Sequence, residues 1–188
     1  ITKIYNNFTI KDFLKSFKLS ESRINRIINE KKYLVNDFFT DVLHTNDILS
    51  IDGEIFNESL LTPFDLDIDI LYEDENLLVV DKPNNLIIHS DTEINTLDNA
   101  IAHYLLKNGY QPVARHVYRL DKDTTGCMIY TKDPLTLALL SNEVENKTLE
   151  KTYTAIVKGY LDKDGTIDQP IGKHRHENNR MVISKSGK

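Results

Sequence analysis

Arg119-Leu120-Asp121-Lys122-Asp123-Thr124-Thr125-Gly126, followed by Cys127-Met128-Ile129-Tyr130, sets one carboxylate two residues after a guanidinium and immediately ahead of a turn. Gly126 admits a backbone torsion that residues with a Cβ avoid. Thr124 and Thr125 can hydrogen-bond their own backbone, so such a turn is rigid without bulk. The apolar run beyond it reads as a buried strand. The pattern presents a single acid, Asp121, to a molecule outside the chain.

Three further stretches stand in order around this turn. Leu77-Leu78-Val79-Val80 reads as a strand that ends in Asp81-Lys82-Pro83-Asn84-Asn85-Leu86-Ile87-Ile88-His89. Downstream, Lys151-Thr152-Tyr153-Thr154-Ala155-Ile156-Val157-Lys158-Gly159 reads as a strand with Lys151, Tyr153, Ala155 and Val157 on one face. Gly165-Thr166-Ile167-Asp168-Gln169-Pro170-Ile171-Gly172 follows. The set resembles the RluA-type pseudouridine synthases. Their patterns are His-Arg-Leu-Asp-x-x-Thr-Ser-Gly, Asp-Lys-Pro-x-Gly-Leu-x-Val-His, Lys-x-Tyr-x-Ala-x-Val-x-Gly and Gly-x-Ile-x-x-Pro-Ile-Gly. Tyr118 stands where that family has histidine, Thr125 where it has serine, and Asn85 where it has glycine. Asparagine tolerates positive φ, so the turn at Asn85 survives the exchange. His116, two residues upstream on the same strand, does not substitute for the ring missing at Tyr118.

The resemblance implies a cofactor-free isomerisation of uridine in RNA, without a metal. Breaking the bond from ribose to the uracil nitrogen puts positive character on the sugar, which one carboxylate can stabilise or attack. Asp121 takes the nucleophile's place, and an adjacent cation would favour its ionised form. By the same resemblance Arg119 fills the gap left by the flipped nucleotide, and a later arginine pairs with the acid. Thr124 and Thr125 border the substrate, Tyr153 gives the flipped uracil a face to stack on, and Lys151 adds a positive charge. The family continues with a Thr-Gly-Arg-Thr-His-Gln-Ile-Arg stretch that does not occur before Lys188. The chain is therefore expected to be cut within the catalytic domain, and to be a poor catalyst alone.

A chain of 188 residues buries roughly 70% of its unfolded surface, enough for one generous domain or two modest ones. No run reaches the length of a membrane span and no apolar leader opens the chain. A soluble, cytoplasmic monomer is expected. The single cysteine, Cys127, excludes an intrachain disulfide or thiolate zinc site and reads as small core packing. Asp65, Asp67 and Asp69 alternate with Leu66, Ile68 and Ile70 as an acidic strand face. They do not form a calcium loop, because the sixth position is Ile70 and the twelfth Asn76. His174-Arg175-His176 reads as an exposed turn, with Arg180 and Lys185 continuing the basic character of that end.

The net charge of -6 conceals a division. Residues 1–35 carry eight Lys/Arg against three Asp/Glu, residues 36–100 one against sixteen, and residues 101–188 fourteen against ten. Local patches rather than totals set binding to a polyanion. In the first block Ser20 reads as an N-cap ahead of Ile24, Ile27 and Ile28 at helical spacing. Lys11, Lys15, Lys18, Arg23, Arg26, Lys31 and Lys32 are interleaved with the apolar stripe. Tyr33 to Asp37 and Asp47 to Ile51 follow as strands. This segment resembles the S4-like RNA-binding module, with Lys31-Lys32 in place of its usual glycine, and the resemblance implies RNA contacts from Lys11, Lys15, Arg23, Arg26, Lys31 and Lys32.

The expected fold is α+β. A helix-pair-plus-strands module over residues 1–58 and a linker from about Glu54 to Asp65 lead to a catalytic domain over residues 66–188. That domain is a mixed, mainly antiparallel sheet with flanking helices, one over Thr96 to Lys107 and one from the N-cap Asp133 to about Asn146. The expected partner is RNA, large-subunit ribosomal RNA first and transfer RNA second, with no membrane. The rival readings are a non-catalytic RNA-binding protein with a structural Asp121, and a protein that binds another protein through its acidic middle block.

Overall fold

The computed structural model describes residues 8–56, 58–174 and 180–184. The chain divides into two compact units, Ile1–Glu150 and Lys151–Lys188.

The first unit begins with β1 (Phe8–Thr9), α1 (Ile10–Ser16) and α2 (Glu21–Asn29). Both helices start on hydroxyl caps, Thr9 accepting from the Asp12 amide and Ser20 from that of Arg23. The helical spacing of Ile10, Leu14, Ile24 and Ile27 puts them on the inner faces, where they are buried with Tyr33, Val35, Leu43, Ile55 and Phe56. β2 (Tyr33–Val35) pairs antiparallel with β4 (Leu49–Ile51), and β1 with β3 (Val42–Leu43). Asn36 and Asp37 both take positive φ, 48° and 69°. Val35 and Phe38 exchange two backbone hydrogen bonds around them, so this is a two-residue hairpin turn. The expected linker starts later than its composition suggests. Gly53–Phe56 is a 3-10 turn that buries Ile55 and Phe56 in this core.

A second core forms between a sheet and a helix. β5 (Asp69–Glu73), β6 (Leu77–Lys82) and β7 (Gly126–Thr131) make a three-stranded sheet in that order. Leu78 and Val80 meet Met128 and Tyr130 beneath α3 (Leu97–Lys107), whose Leu97, Ile101 and Leu105 are buried. Thr96 caps α3 and Asp133 caps α4 (Pro134–Glu145). Leu135 and Ala138 of α4 pack against the first core. Every strand pairing among the described residues is antiparallel, where a mixed sheet was expected. The acidic alternation at Asp65 to Asp69 precedes the ladder, which starts only at Asp69. Cys127 is exposed and not in the core. Strand parity dictates this, because Met128 and Tyr130 take the inward face.

In the second unit β8 (Ile171–Lys173) and β9 (Met181–Ile183) form an antiparallel hairpin. The strand expected over Lys151 to Gly159 is absent. These residues are exposed and in no ladder, and alternation alone makes no strand without a hydrogen-bonded neighbour. Arg175, His176 and Lys185 lie outside the described residues. Among the described residues no helix is long and apolar enough to cross a membrane.

Polar ties hold the first unit's sheet. Glu58 and Arg115 form an ion pair, and Arg115 Nη1 also donates to the Lys132 carbonyl at 2.9 Å. Glu73 accepts from Lys132 Nζ at 2.7 Å and from the Tyr104 hydroxyl at 2.6 Å. These two donors, Lys132 first, hold the Glu73 carboxyl below its usual 4.5. A depressed folded pKa contributes stability above the unfolded value, which is lost as pH falls through the folded one. Glu73→Gln is therefore expected to cost about 1–2 kcal/mol at pH 7, and urea denaturation should show that gap closing below pH 4.5. A gap independent of pH would contradict the assignment.

Candidate active site

The Asp121 turn is the tip of a hairpin. Arg115 to Val117 run antiparallel to β7, with the Thr131 amide on the Arg115 carbonyl and the Val117 amide on the Ile129 carbonyl, both at 2.9 Å. The tip itself closes with the Thr124 amide on the Asp121 carbonyl at 3.1 Å. Gly126 sits at φ +115°, in the region that sequence reading assigned to it. Between Val117 and Gly126 side chains replace the ladder. The Tyr118 hydroxyl donates to the Cys127 carbonyl at 2.8 Å while its ring packs on the second core. Tyr118, one of the three departures from the family pattern, thus braces the hairpin.

The decisive support comes from β6. Lys82 lies opposite Gly126 in the ladder and is fully buried. Its Nζ donates to the carbonyls of Pro83 at 2.9 Å, Lys122 at 2.8 Å and Thr124 at 2.8 Å, which uses all three of its donors. Burial pushes the Lys82 ammonium below its usual pKa, against the attraction of Asp123 and Asp121. A cation therefore sits beneath the turn. Reading the sequence missed it, although Leu78, Val80 and Lys82 share one strand parity, which places Lys82 on the buried face. The loop after it turns through Asn85 at φ +59°, as the asparagine-for-glycine exchange led us to expect. The rigidity expected from the Thr124 and Thr125 side chains comes instead from Lys82, since among the described residues neither hydroxyl bonds to the backbone of the turn.

Asp121, Arg119 and Thr125 are exposed, and Thr124 is half-buried. Among the described residues Arg119 forms no ion pair with Asp121. Lys151 and Tyr153 belong to the second unit, where both are exposed. In the first core's segment Lys15 is exposed and Lys11 half-buried. The Arg23 guanidinium lies 5.5 Å from the Phe56 ring centre, and Arg26 Nε is 3.1 Å from Glu30. The Lys31 ammonium lies 5.8 Å from the ring centre of Phe39, while Lys32 pairs with Asp52 at 2.7 Å and Glu54 at 3.6 Å. Among the described residues no three His, Cys, Asp or Glu are placed to hold a metal ion.

The family model described as RNA pseudouridylate synthase matches residues 76–188, which contain Lys82, Arg119, Asp121 and Tyr153. The chain belongs to that family. It is 38% identical over 149 residues to an uncharacterized RNA pseudouridine synthase, YhcT, of Bacillus subtilis (strain 168), covering 78% of this chain and 49% of the other. It is 34% identical over 176 residues to the ribosomal large subunit pseudouridine synthase D of Escherichia coli O157:H7, covering 90% and 54%. The chain thus spans about half the length of the relatives it matches. In fold, this synthase-family chain is similar to human RNA pseudouridylate synthase domain containing 1, with a TM-score of 0.51 at 22% identity over 64% of this chain and 46% of that one.

Lys82→Met keeps an unbranched apolar side chain as far as Cε and removes the ammonium and its donors. It is expected to cost about 1–3 kcal/mol by leaving buried carbonyls unpaired, measured by the urea midpoint. A midpoint equal to wild type would remove Lys82 as the support of the turn.

Proposed function

We propose that the protein of which this chain is part isomerises a uridine in RNA to pseudouridine, with Asp121 as the nucleophile. The observation that carries this is the exposed Asp121 on a turn braced by a buried Lys82, inside the stretch that matches the family. The bond from ribose C1′ to uracil N1 breaks and the Asp121 carboxylate meets the positive character on C1′. The base turns, C1′ joins C5, the hydrogen of C5 leaves as a proton, and N1 ends protonated. No group is added and no electron is exchanged, so the chemistry calls for no cofactor.

Arg119, exposed and not paired with Asp121, fills the space of the flipped nucleotide. By the resemblance to the family, Thr124 and Thr125 border the substrate, Tyr153 is the residue that stacks on the uracil and Lys151 adds positive charge. Residues 1–58 act as an S4-like RNA-binding module and residues 66–188 as part of the catalytic domain. The target is large-subunit ribosomal RNA, the substrate class in the name of the Escherichia coli relative. Lys11, Lys15 and Lys31 meet phosphate, with Arg23 and Arg26 beside them. Lys32, bonded to Asp52 and Glu54, braces the module that presents them.

The full polypeptide is expected to release tritium from RNA labelled at C5 of uridine, and Asp121→Asn to fall to background. Equal release by both would remove Asp121 from the chemistry, and binding without any release would leave an RNA-binding protein. In a salt titration of single-stranded RNA binding, Lys31→Ala should lower the log-log slope by about 0.7 while Lys32→Ala leaves it unchanged. Equal slope changes would contradict the division of labour between the two lysines.

A further inference from the structure

We infer that Asp98 is a positioning residue for the Asp121 hairpin, clamping its base as Lys82 supports its tip. The inference rests on the nucleophile assignment above.

Asp98 is 2% exposed, in the first turn of α3. Its own amide donates to the Ile88 carbonyl at 2.9 Å, and the Leu97 amide to the Ile87 carbonyl at 2.9 Å, so the start of the helix is fixed to the loop after β6. A carboxylate this deep is costly unless its oxygens are satisfied. Three donors do so. The Tyr130 hydroxyl lies 2.9 Å from Oδ1, His116 Nδ1 lies 3.2 Å from both oxygens, and His89 Nδ1 lies 3.2 Å from Oδ2. An ionised carboxylate only accepts, so it selects the histidine forms that carry a proton on Nδ1.

The placement of these partners gives the cluster its role. His116 and Tyr130 are directly opposed across the hairpin, joined as an antiparallel bridge, with ring centres 6.3 Å apart and edge-on. One carboxylate therefore grips the outgoing and the returning strand at the same rung. His89 brings in the loop that follows Lys82. From His116 the chain needs only three residues to reach Arg119 and five to reach Asp121. Few backbone bonds fix the register over that distance, and a slip of one residue would turn Arg119 and Asp121 to the opposite face.

The test is steady-state tritium release by the full polypeptide carrying Asp98→Asn or Tyr130→Phe. The second variant removes one hydrogen bond and keeps the ring, so it stays folded even if the first does not. Positioning predicts that kcat falls in Tyr130→Phe and more in Asp98→Asn, up to about a hundredfold, with KM within about twofold. The double variant should be no slower than Asp98→Asn alone. Loss of rate that vanishes once it is divided by the folded fraction from circular dichroism, or an unchanged kcat in Tyr130→Phe, would overturn the clamp while leaving Asp121 in place. A wild-type protein that releases no tritium would overturn both readings.

Discussion

A buried ammonium has three protons to place, and Lys82 places them on the carbonyls of Pro83, Lys122 and Thr124. Taking that charge out of water is expensive, which is the reason its pKa falls. The cost is offset only while the turn keeps its carbonyls pointed inward, so the conformation of residues 122 to 124 and the burial of Lys82 stand or fall together. With its carbonyls committed below, the turn leaves the Asp121 side chain exposed above.

The hairpin that carries the acid has a polar tether at each level. Lys82 holds the tip, the Tyr118 hydroxyl holds the middle through the Cys127 carbonyl, and Asp98 holds the base through His116 and Tyr130. Regular strand pairing would have fixed the same register but would have left no room for an irregular turn at the end. Side-chain tethers allow both. Each acts from a segment distant in sequence, so the geometry of Asp121 depends on the sheet and α3 forming together.

Features set by neighbouring residues were legible in the sequence. The caps at Ser20 and Asp133 and the positive φ at Asn85 and Gly126 follow from side-chain chemistry within a few residues, whereas Thr96, read as the first helical residue, is the cap of α3. Features that depend on a distant partner were not. The residues from Lys151 to Gly159 alternate as a strand should but have no ladder, and Ile55 and Phe56 sit in a polar stretch yet fill the first core. Lys82 was given no role of its own in the sequence, because only the pairing with β7 shows that its amine ends under the turn. Asp98 was not singled out in the sequence, since its donors lie 9, 18 and 32 residues away. The exposure of Cys127 was readable from the parity of Met128 and Tyr130, and was missed by treating the whole run as buried.

The central claim is that the turn presenting Asp121 is a rigid platform. Backbone ¹⁵N relaxation of residues 121 to 125 measures this directly on the fast timescale. Order parameters near 0.85, equal to those of β6 and β7, are the expected result, and values below about 0.6 would show a mobile loop and contradict it.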